Sequence, residues 1–243
     1  MWALLNKEIA TFFSSIIGYL VIGVFLAITG LFLWVIPGEL NILYGGYATL
    51  EPLFAIAPWI FLFLVPAVTM RMFAEERRNG TLELLLTRPV TSLQIVLAKY
   101  LSGLVLVVIG LIPTLAYFVV VYHLGAEQGN LDMGAAWGSY IGLVFLAAIY
   151  VAIGVFASSI TDNQIVAFVV AVVLCFVFYS GFDSLSLVPA FKGIQSWIAS
   201  VGINEHYLSV SRGVLDSRDL VYFLSMSFLF IFLTRTVLES RKW

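Results

Sequence analysis

Six long stretches without a charged residue constrain the fold of this chain more than any other feature of its sequence. A helix needs about 20 largely apolar residues to cross a hydrocarbon core roughly 30 Å thick. The stretches approach or reach that length and are continuously apolar, whereas strands of a membrane barrel would alternate with a period of two. We therefore predict an all-α, polytopic membrane protein with six transmembrane helices, spans 1 to 6. They are Ile16–Ile36, Phe54–Met70, Leu101–Tyr122, Trp137–Ser158, Gln164–Phe182 and Leu220–Thr234.

Composition supports the same class and excludes others. Of the 243 residues, 62% are hydrophobic and 11% charged, which is too little polar surface for a soluble domain of this length. A net charge of −2 gives no sign of a nucleic-acid partner. The single cysteine, Cys175, and two histidines, His123 and His206, form no metal-ligand pattern, and no GxxxxGKS/T phosphate loop occurs. We expect no catalytic residue and no cofactor.

The basic residues predict the orientation in the bilayer. With the N-terminus in the cytoplasm, nine basic residues lie inside and three outside, as the positive-inside rule requires. The inside set is Lys7, Arg71, Arg77, Arg78, Arg88, Lys99, Arg235, Arg241 and Lys242, and the outside set is Lys192, Arg212 and Arg218. Both termini are therefore predicted to be cytoplasmic.

Residues 1–15 have one apolar and one polar face. Trp2, Leu5, Ile9 and Phe12 recur at spacings of three and four, with polar residues between them. This pattern predicts an interfacial helix that lies among the lipid headgroups and leads into span 1. The alternative is that these residues are only the frayed start of span 1.

The segment 71–90, between spans 2 and 3, combines charges of both signs with a leucine-rich run. Gly80 permits a turn, and Thr81 is a candidate N-cap for a short helix with an apolar face of Leu82, Leu85 and Leu86. Further on, Thr91-x-x-Gln94 fits a capping box. The segment is either an interfacial loop whose leucines enter lipid or a docking surface for a soluble partner.

The same segment resembles the cytoplasmic loop of ABC-2-type transporter permeases. Order, spacing and position after the second of six spans all match, from Glu75-Glu76-Arg77 through Gly80-Thr81 to Pro89-Val90. In that family the loop forms a coupling helix that fits a cleft on a separate ATPase. The resemblance therefore implies an ATPase-coupling role for Glu75, Glu76, Arg77, Arg78, Gly80, Thr81, Glu83, Leu84, Leu85, Leu86, Thr87 and Pro89.

The resemblance extends over essentially the whole chain and includes the gliding-motility-associated permeases of that family. It implies one permease domain, residues 1–243, with the ABC-2 exporter-type fold and a location in the bacterial inner membrane. It also implies two kinds of partner, an ABC ATPase subunit that hydrolyses ATP and a second permease subunit of the same or another sequence.

Two further segments carry predictions. The turn Thr161, Asp162 and Asn163 is a second possible ATPase contact, although a simple helical hairpin is the alternative, and Thr161-x-x-Gln164 fits a capping box. Residues 183–219 are too apolar for a solvated loop and too interrupted for a span, which predicts an extracytoplasmic re-entrant loop. Within it, His206 is expected to make a structural polar contact, because no nucleophile or metal set accompanies it.

These observations favour a non-catalytic permease subunit that a separate ATPase drives to export an unidentified substrate. A secondary transporter is less favoured, because such carriers place ionisable residues at the membrane midplane and the predicted spans contain none. A membrane anchor or force-relay component of a surface machine is the alternative that the gliding resemblance leaves open.

Overall fold

Helices form every regular element that the computed structural model describes, in residues 1–87, 89–125, 132–213 and 216–240. Six helical segments are long and apolar enough to cross a membrane, and each coincides with one predicted span. The all-α prediction with six spans is therefore confirmed. The described α-helices are α1 (Trp2–Ser14), α2 (Ile16–Gly30), α3 (Ile42–Gly45), α4 (Glu51–Thr69), α5 (Ala74–Arg78), α6 (Thr81–Leu86), α7 (Ser92–Leu111), α8 (Leu115–Leu124), α9 (Met133–Ile160), α10 (Gln164–Phe176), α11 (Phe182–Ser186), α12 (Gln195–Ala199), α13 (Ile203–Val210) and α14 (Ser217–Glu239).

Five of the six spanning segments are longer than the predicted stretches, and two of these continue through a short irregular turn. A 3₁₀ turn at Ile112–Thr114 joins α7 to α8, and a π-helical turn at Val177–Gly181 joins α10 to α11. The longer helices take in charged residues outside the predicted stretches, among them Lys99 and Asp219. The observed segments are Ile16–Val35, Glu51–Arg78, Ser92–Leu124, Met133–Ile160, Gln164–Ser186 and Ser217–Glu239.

Spans 2 and 4 form the centre of the bundle. In their most apolar stretches 67% and 72% of the residues are buried, against 22–33% in the other four spans. The two helices meet closely at Gly154, where a Cβ atom would collide with the Thr69 side chain. Glycine at this contact therefore permits an approach that a larger residue would prevent. The outer spans keep faces that are free for lipid or for another subunit.

The two ends of the bundle carry different elements. Because the chain crosses six times, α1 and the end of α14 lie at the same end, together with α5, α6 and the turn between α9 and α10. We name this the terminal end. The segments 36–50 and 187–213 lie at the opposite end, which we name the distal end.

At the distal end, α13 packs between the spans. The Tyr207 hydroxyl donates a hydrogen bond to the Phe54 carbonyl oxygen at 2.7 Å, and the ring is 1% exposed. In a regular helix that carbonyl would accept from the amide of residue 58, but Pro58 has no N–H. Tyr207 therefore supplies the donor that the proline removes from span 2.

A face of small residues on span 4 receives α13 and the turn that follows it. A Cβ atom at Gly138 would lie 2.7 Å from the Gly213 Cα, and one at Gly142 would lie 2.9 Å from a methyl group of Val210. These glycines therefore mediate packing inside the bundle. Gly213 itself has a φ of +83°, a backbone conformation that favours glycine.

The polar contact expected at His206 is present. His206 Nδ1 lies 2.7 Å from Asp219 Oδ1, and Nε2 lies 3.0 Å from the Ser200 carbonyl oxygen. The ring also stacks on Tyr222, with 3.9 Å between ring centroids. The histidine thus links α12 and α13 to the first turn of α14.

Candidate functional site

The segment that follows span 2 folds as two short helices separated by a tight turn. Gly80 adopts a left-handed φ of +68°, which favours glycine, and α6 begins at the next residue. The predicted N-cap role of Thr81 is wrong: Thr81 is the first helical residue, and its hydroxyl donates to the Glu76 carbonyl oxygen at 3.3 Å. The left-handed turn directs that hydroxyl back toward α5. The capping box of Thr91 and Gln94 is confirmed at the start of α7.

The leucines of α6 divide between two faces. Leu82 is 5% exposed and belongs to the hydrophobic core, and Leu85 is partly buried against it. Leu84, on the opposite face, is 67% exposed. The prediction of a partner-binding face that includes Leu82 is therefore wrong, because that face anchors α6 to its own bundle. Among the described side chains of α6, Leu84 is an apolar one that points outward.

The other predicted coupling residues lie mostly on the surface of the terminal end. Glu76 and Arg77 are half-buried, whereas the side chain of Leu86 lies outside the described part of the chain. The exposed members are Glu75, Arg78, Gly80, Thr81, Glu83, Thr87 and Pro89. Most of the other exposed side chains in this segment are therefore charged or carry a hydroxyl group.

The second predicted contact, the turn after span 4, adjoins α5. Arg77 Nη1 donates to the Ser159 carbonyl oxygen at 2.9 Å, near the C-terminus of α9, where carbonyl groups lack helical donors. Asp162 and Asn163 are exposed and Thr161 is half-buried. The two predicted contact segments thus form one continuous surface.

The predicted capping box at that turn is wrong. Asn163, not Thr161, caps α10, and its Oδ1 accepts from the Ile165 amide at 2.9 Å. The Thr161 hydroxyl instead accepts from the Asn163 amide at 3.2 Å. Asn163 lies directly before the helix, so its short side chain reaches the free amide that a more distant threonine does not.

A buried ion cluster beneath this surface was not predicted from the sequence. The Lys99 side chain is 0% exposed, and its Nζ lies 2.9 Å from Glu8 Oε1 and 3.0 Å from Glu76 Oε2. The same Nζ donates to the Met72 carbonyl oxygen at 2.5 Å and lies 5.1 Å from the centroid of the Phe73 ring. These contacts compensate for the loss of hydration that burial of an ammonium group entails.

Lys7 completes the cluster. Its Nζ lies 3.1 Å from Glu76 Oε1 and 3.8 Å from Glu8 Oε1, so that two ammonium groups balance two carboxylates. Partial burial alone would lower the pKa of Lys7, but the hydrogen bond and charge of Glu76, with a contribution from Glu8, raise the pKa above its ordinary value. Lys7 is therefore charged at neutral pH. The cluster joins α1, α5 and α7, which belong to three different parts of the sequence.

The position of Glu8 in the sequence is the feature from which part of this cluster could have been predicted. Glu8 lies on the apolar face of α1, between Leu5, Ile9 and Phe12, where a charged residue requires a partner. The spacing identifies the unusual residue but not its partner, because Lys99 is 91 positions away. Only the packing of α1 against α7 brings the two together.

A cavity of about 920 Å³ opens at the distal end between α4, α9 and α13. Glu51, Asp132 and Arg212 contribute charged groups to its lining. Trp59 and Tyr179 contribute aromatic rings, which meet edge to face with their centroids 5.5 Å apart. The cavity therefore presents charged and aromatic groups together at the end of the bundle opposite α6.

These features define a class: a multi-pass helical membrane protein that displays a short, firmly anchored helix between its second and third spans. A family model described as ABC-2 family transporter protein matches residues 3–237. The chain belongs to this family, and it is accordingly a membrane subunit of an ABC transporter, which works with a partner ATPase component. No curated protein matches the sequence.

Proposed function

We propose that this chain is the non-catalytic permease subunit of a bacterial exporter and that α5 and α6 couple it to a separate ATPase. The observation that carries the proposal is Leu84, an apolar side chain 67% exposed in a segment whose other described exposed side chains are mostly polar. An apolar anchor inside a polar rim is the usual composition of a protein–protein contact. The exposed residues Asp162 and Asn163 extend the same surface.

The attachment of α5 and α6 to the bundle supports transmission of movement from the ATPase. Leu82 packs into the core, Arg77 bonds to the end of span 4, and Glu76 pairs with Lys99 at the start of span 3. A displacement of α6 that is passed to the adjoining α5 would therefore act on several spans together. A loosely tethered loop would absorb the same displacement by bending.

Orientation and assembly follow from the same proposal. The terminal end faces the cytoplasm, where the ATPase is located, and this orientation agrees with the nine basic residues assigned to that side. The weakly buried faces of spans 1, 5 and 6 are available to lipid and to a second permease subunit. The resemblance to gliding-motility-associated permeases supports a role in that process, either as an exporter in the inner membrane or as a membrane anchor that relays force.

The decisive test is a single substitution on α6 with a matched control. Leu84→Asp places a carboxylate in the proposed contact, and Leu43→Asp makes the same change at a leucine 59% exposed in α3. We expect Leu84→Asp to reduce retention of the cognate ATPase on the purified permease at least tenfold, as loss of a contact worth about 1.4 kcal/mol would. Leu43→Asp should leave retention unchanged.

One outcome would refute the proposed contact, and another would refute the proposed export. Equal ATPase retention by Leu84→Asp and wild type would show that α6 is not the contact. Normal retention and ATP turnover in a reconstituted wild-type complex, without movement of any cargo, would favour the anchoring role over export. Asp162→Lys provides an independent test of the adjoining turn, since reversal of its charge should weaken retention if the ATPase covers it.

A further inference from the structure

A second cavity, about 400 Å³, lies at the terminal end between α1, the start of span 1, the end of α4 and α5. Its lining is apolar toward the spans and polar toward the bundle end. Ile17, Val68 and Leu106 belong to the apolar part, and Arg71, Glu75 and Asn79 belong to the polar part. The cavity thus has the two-sided character of a site for an amphipathic molecule.

The polar wall is built by one helical face. The Glu75 amide donates to the Arg71 carbonyl oxygen at 3.2 Å, and the Asn79 amide donates to the Glu75 carbonyl oxygen at 3.0 Å. The three residues are therefore spaced one turn apart along one face. They present, in order away from the membrane, a guanidinium, a carboxylate and an amide.

Arg71 has an unmet requirement for an acceptor. Its Nε is buried, yet it has no hydrogen-bond partner among the described residues. Native proteins usually provide partners for buried polar atoms, and a guanidinium edge matches the geometry of a phosphate group. Arg71 also lines the cavity, so an oxyanion inside the cavity would lie beside its guanidinium group.

The remaining charges indicate that the ligand is zwitterionic. Lys7 and Lys99 already neutralise Glu8 and Glu76, so Arg71 and Glu75 are the two charges of the lining left over. A purely anionic ligand would satisfy Arg71 but approach the Glu75 carboxylate unfavourably. A ligand with a phosphate and a primary ammonium satisfies both residues.

The apolar part of the lining favours a lipid over free phosphate. Val68 precedes Arg71 by three residues and both line the cavity, so the apolar and polar parts of the lining adjoin. Glycerol and acyl chains would lie against that wall, which free phosphate would leave empty. We propose that the cavity binds a phosphatidylethanolamine molecule, with its phosphate on Arg71 and its ammonium on Glu75.

The proposal is tested by counting the phospholipids that purified protein retains. Native mass spectrometry of the full chain from phosphatidylethanolamine-containing nanodiscs should show one tightly held molecule per chain. Arg71→Met should lose it. Arg235→Met should keep it, since Arg235 instead pairs with Glu239 at 2.8 Å on α14. Glu75→Gln should retain lipid but shift its choice toward phosphatidylglycerol several-fold.

A second measurement distinguishes lipid from free phosphate and does not depend on the Arg71→Met variant folding. In detergent, dihexanoyl-phosphatidylethanolamine should raise the melting temperature of the wild type in a saturable manner. Inorganic phosphate should not, and the phosphatidylcholine analogue should do so less, because its quaternary ammonium cannot donate to Glu75. Arg71→Lys should weaken the response. Equal responses to free phosphate and lipid, or equal lipid retention by wild type and Arg71→Met, would overturn the proposal.

Discussion

Replacement of Lys99 by methionine tests whether the buried ion cluster holds the terminal end together. Methionine fills similar space without charge, and it leaves Glu8 and Glu76 facing one another with side chains only 14% and 13% exposed. Removal of one member of a buried ion pair costs about 3–5 kcal/mol. Because Lys7 still neutralises Glu76, we expect the free energy of unfolding to fall by about 3 kcal/mol, or roughly 6–12 °C in melting temperature for a chain of this size.

The chain contains its own probe for this measurement. Cys175 is the only cysteine and is 0% exposed, so a thiol-reactive dye reports unfolding through one site. The matched control is Lys7→Met, because the Lys7 side chain is 57% exposed and exposed ion pairs contribute at most about 1 kcal/mol. A fall in melting temperature for Lys99→Met no larger than for Lys7→Met would refute the reasoning.

A second substitution separates charge from packing. In the Lys99→Met background, Glu8→Gln removes a carboxylate that has lost its nearest partner. The double variant should therefore be more stable than Lys99→Met alone, by about 1 kcal/mol or more. If the added change lowers the melting temperature further, the cost arises from lost packing around the lysine stem rather than from unpaired charge.

Two further predictions concern the contacts that assemble the spans. Gly154→Ala should lower stability by about 1–3 kcal/mol, because its methyl group collides with a side chain of span 2. Tyr207→Phe should cost about 1–3 kcal/mol, since it leaves the buried Phe54 carbonyl oxygen without the donor that replaces the missing Pro58 amide. Both are measured by thermal unfolding with the thiol dye.

Each of these predictions has its own control. Gly23→Ala, in span 1, adds a methyl group that meets nothing within 4 Å, and it should not lower stability. For Tyr207→Phe, the cost should shrink in a Pro58→Ala background, where the restored amide can bond to the Phe54 carbonyl oxygen. If Gly154→Ala and Gly23→Ala change the melting temperature equally, the explanation of the Gly154 contact is wrong. If Tyr207→Phe lowers stability as much in the Pro58→Ala background as in the wild type, the explanation of the Tyr207 hydrogen bond is wrong.

Local patterns in the sequence predicted the elements that depend on neighbouring residues. Thr91 and Gln94 form the expected capping box because both hydrogen bonds join groups only three residues apart. The same reasoning failed at Thr161, where Asn163 lies closer to the free amide and takes the cap. Competition between adjacent polar side chains is decided by geometry that spacing alone does not specify.

The sequence by itself determined the class of this protein. Uncharged apolar stretches of spanning length lie in a bilayer core that offers no water as a hydrogen-bond partner, so each stretch must pair its own backbone groups. A helix meets this requirement within each stretch independently. Tertiary structure alone decided which face of α6 is anchored and which remains exposed, because burial of Leu82 and exposure of Leu84 depend on the position of the bundle beside the helix. Tertiary structure also decided the partners of Lys99. A buried ammonium group pairs with the carboxylates that lie near it after the helices have packed, and here those are Glu8 and Glu76.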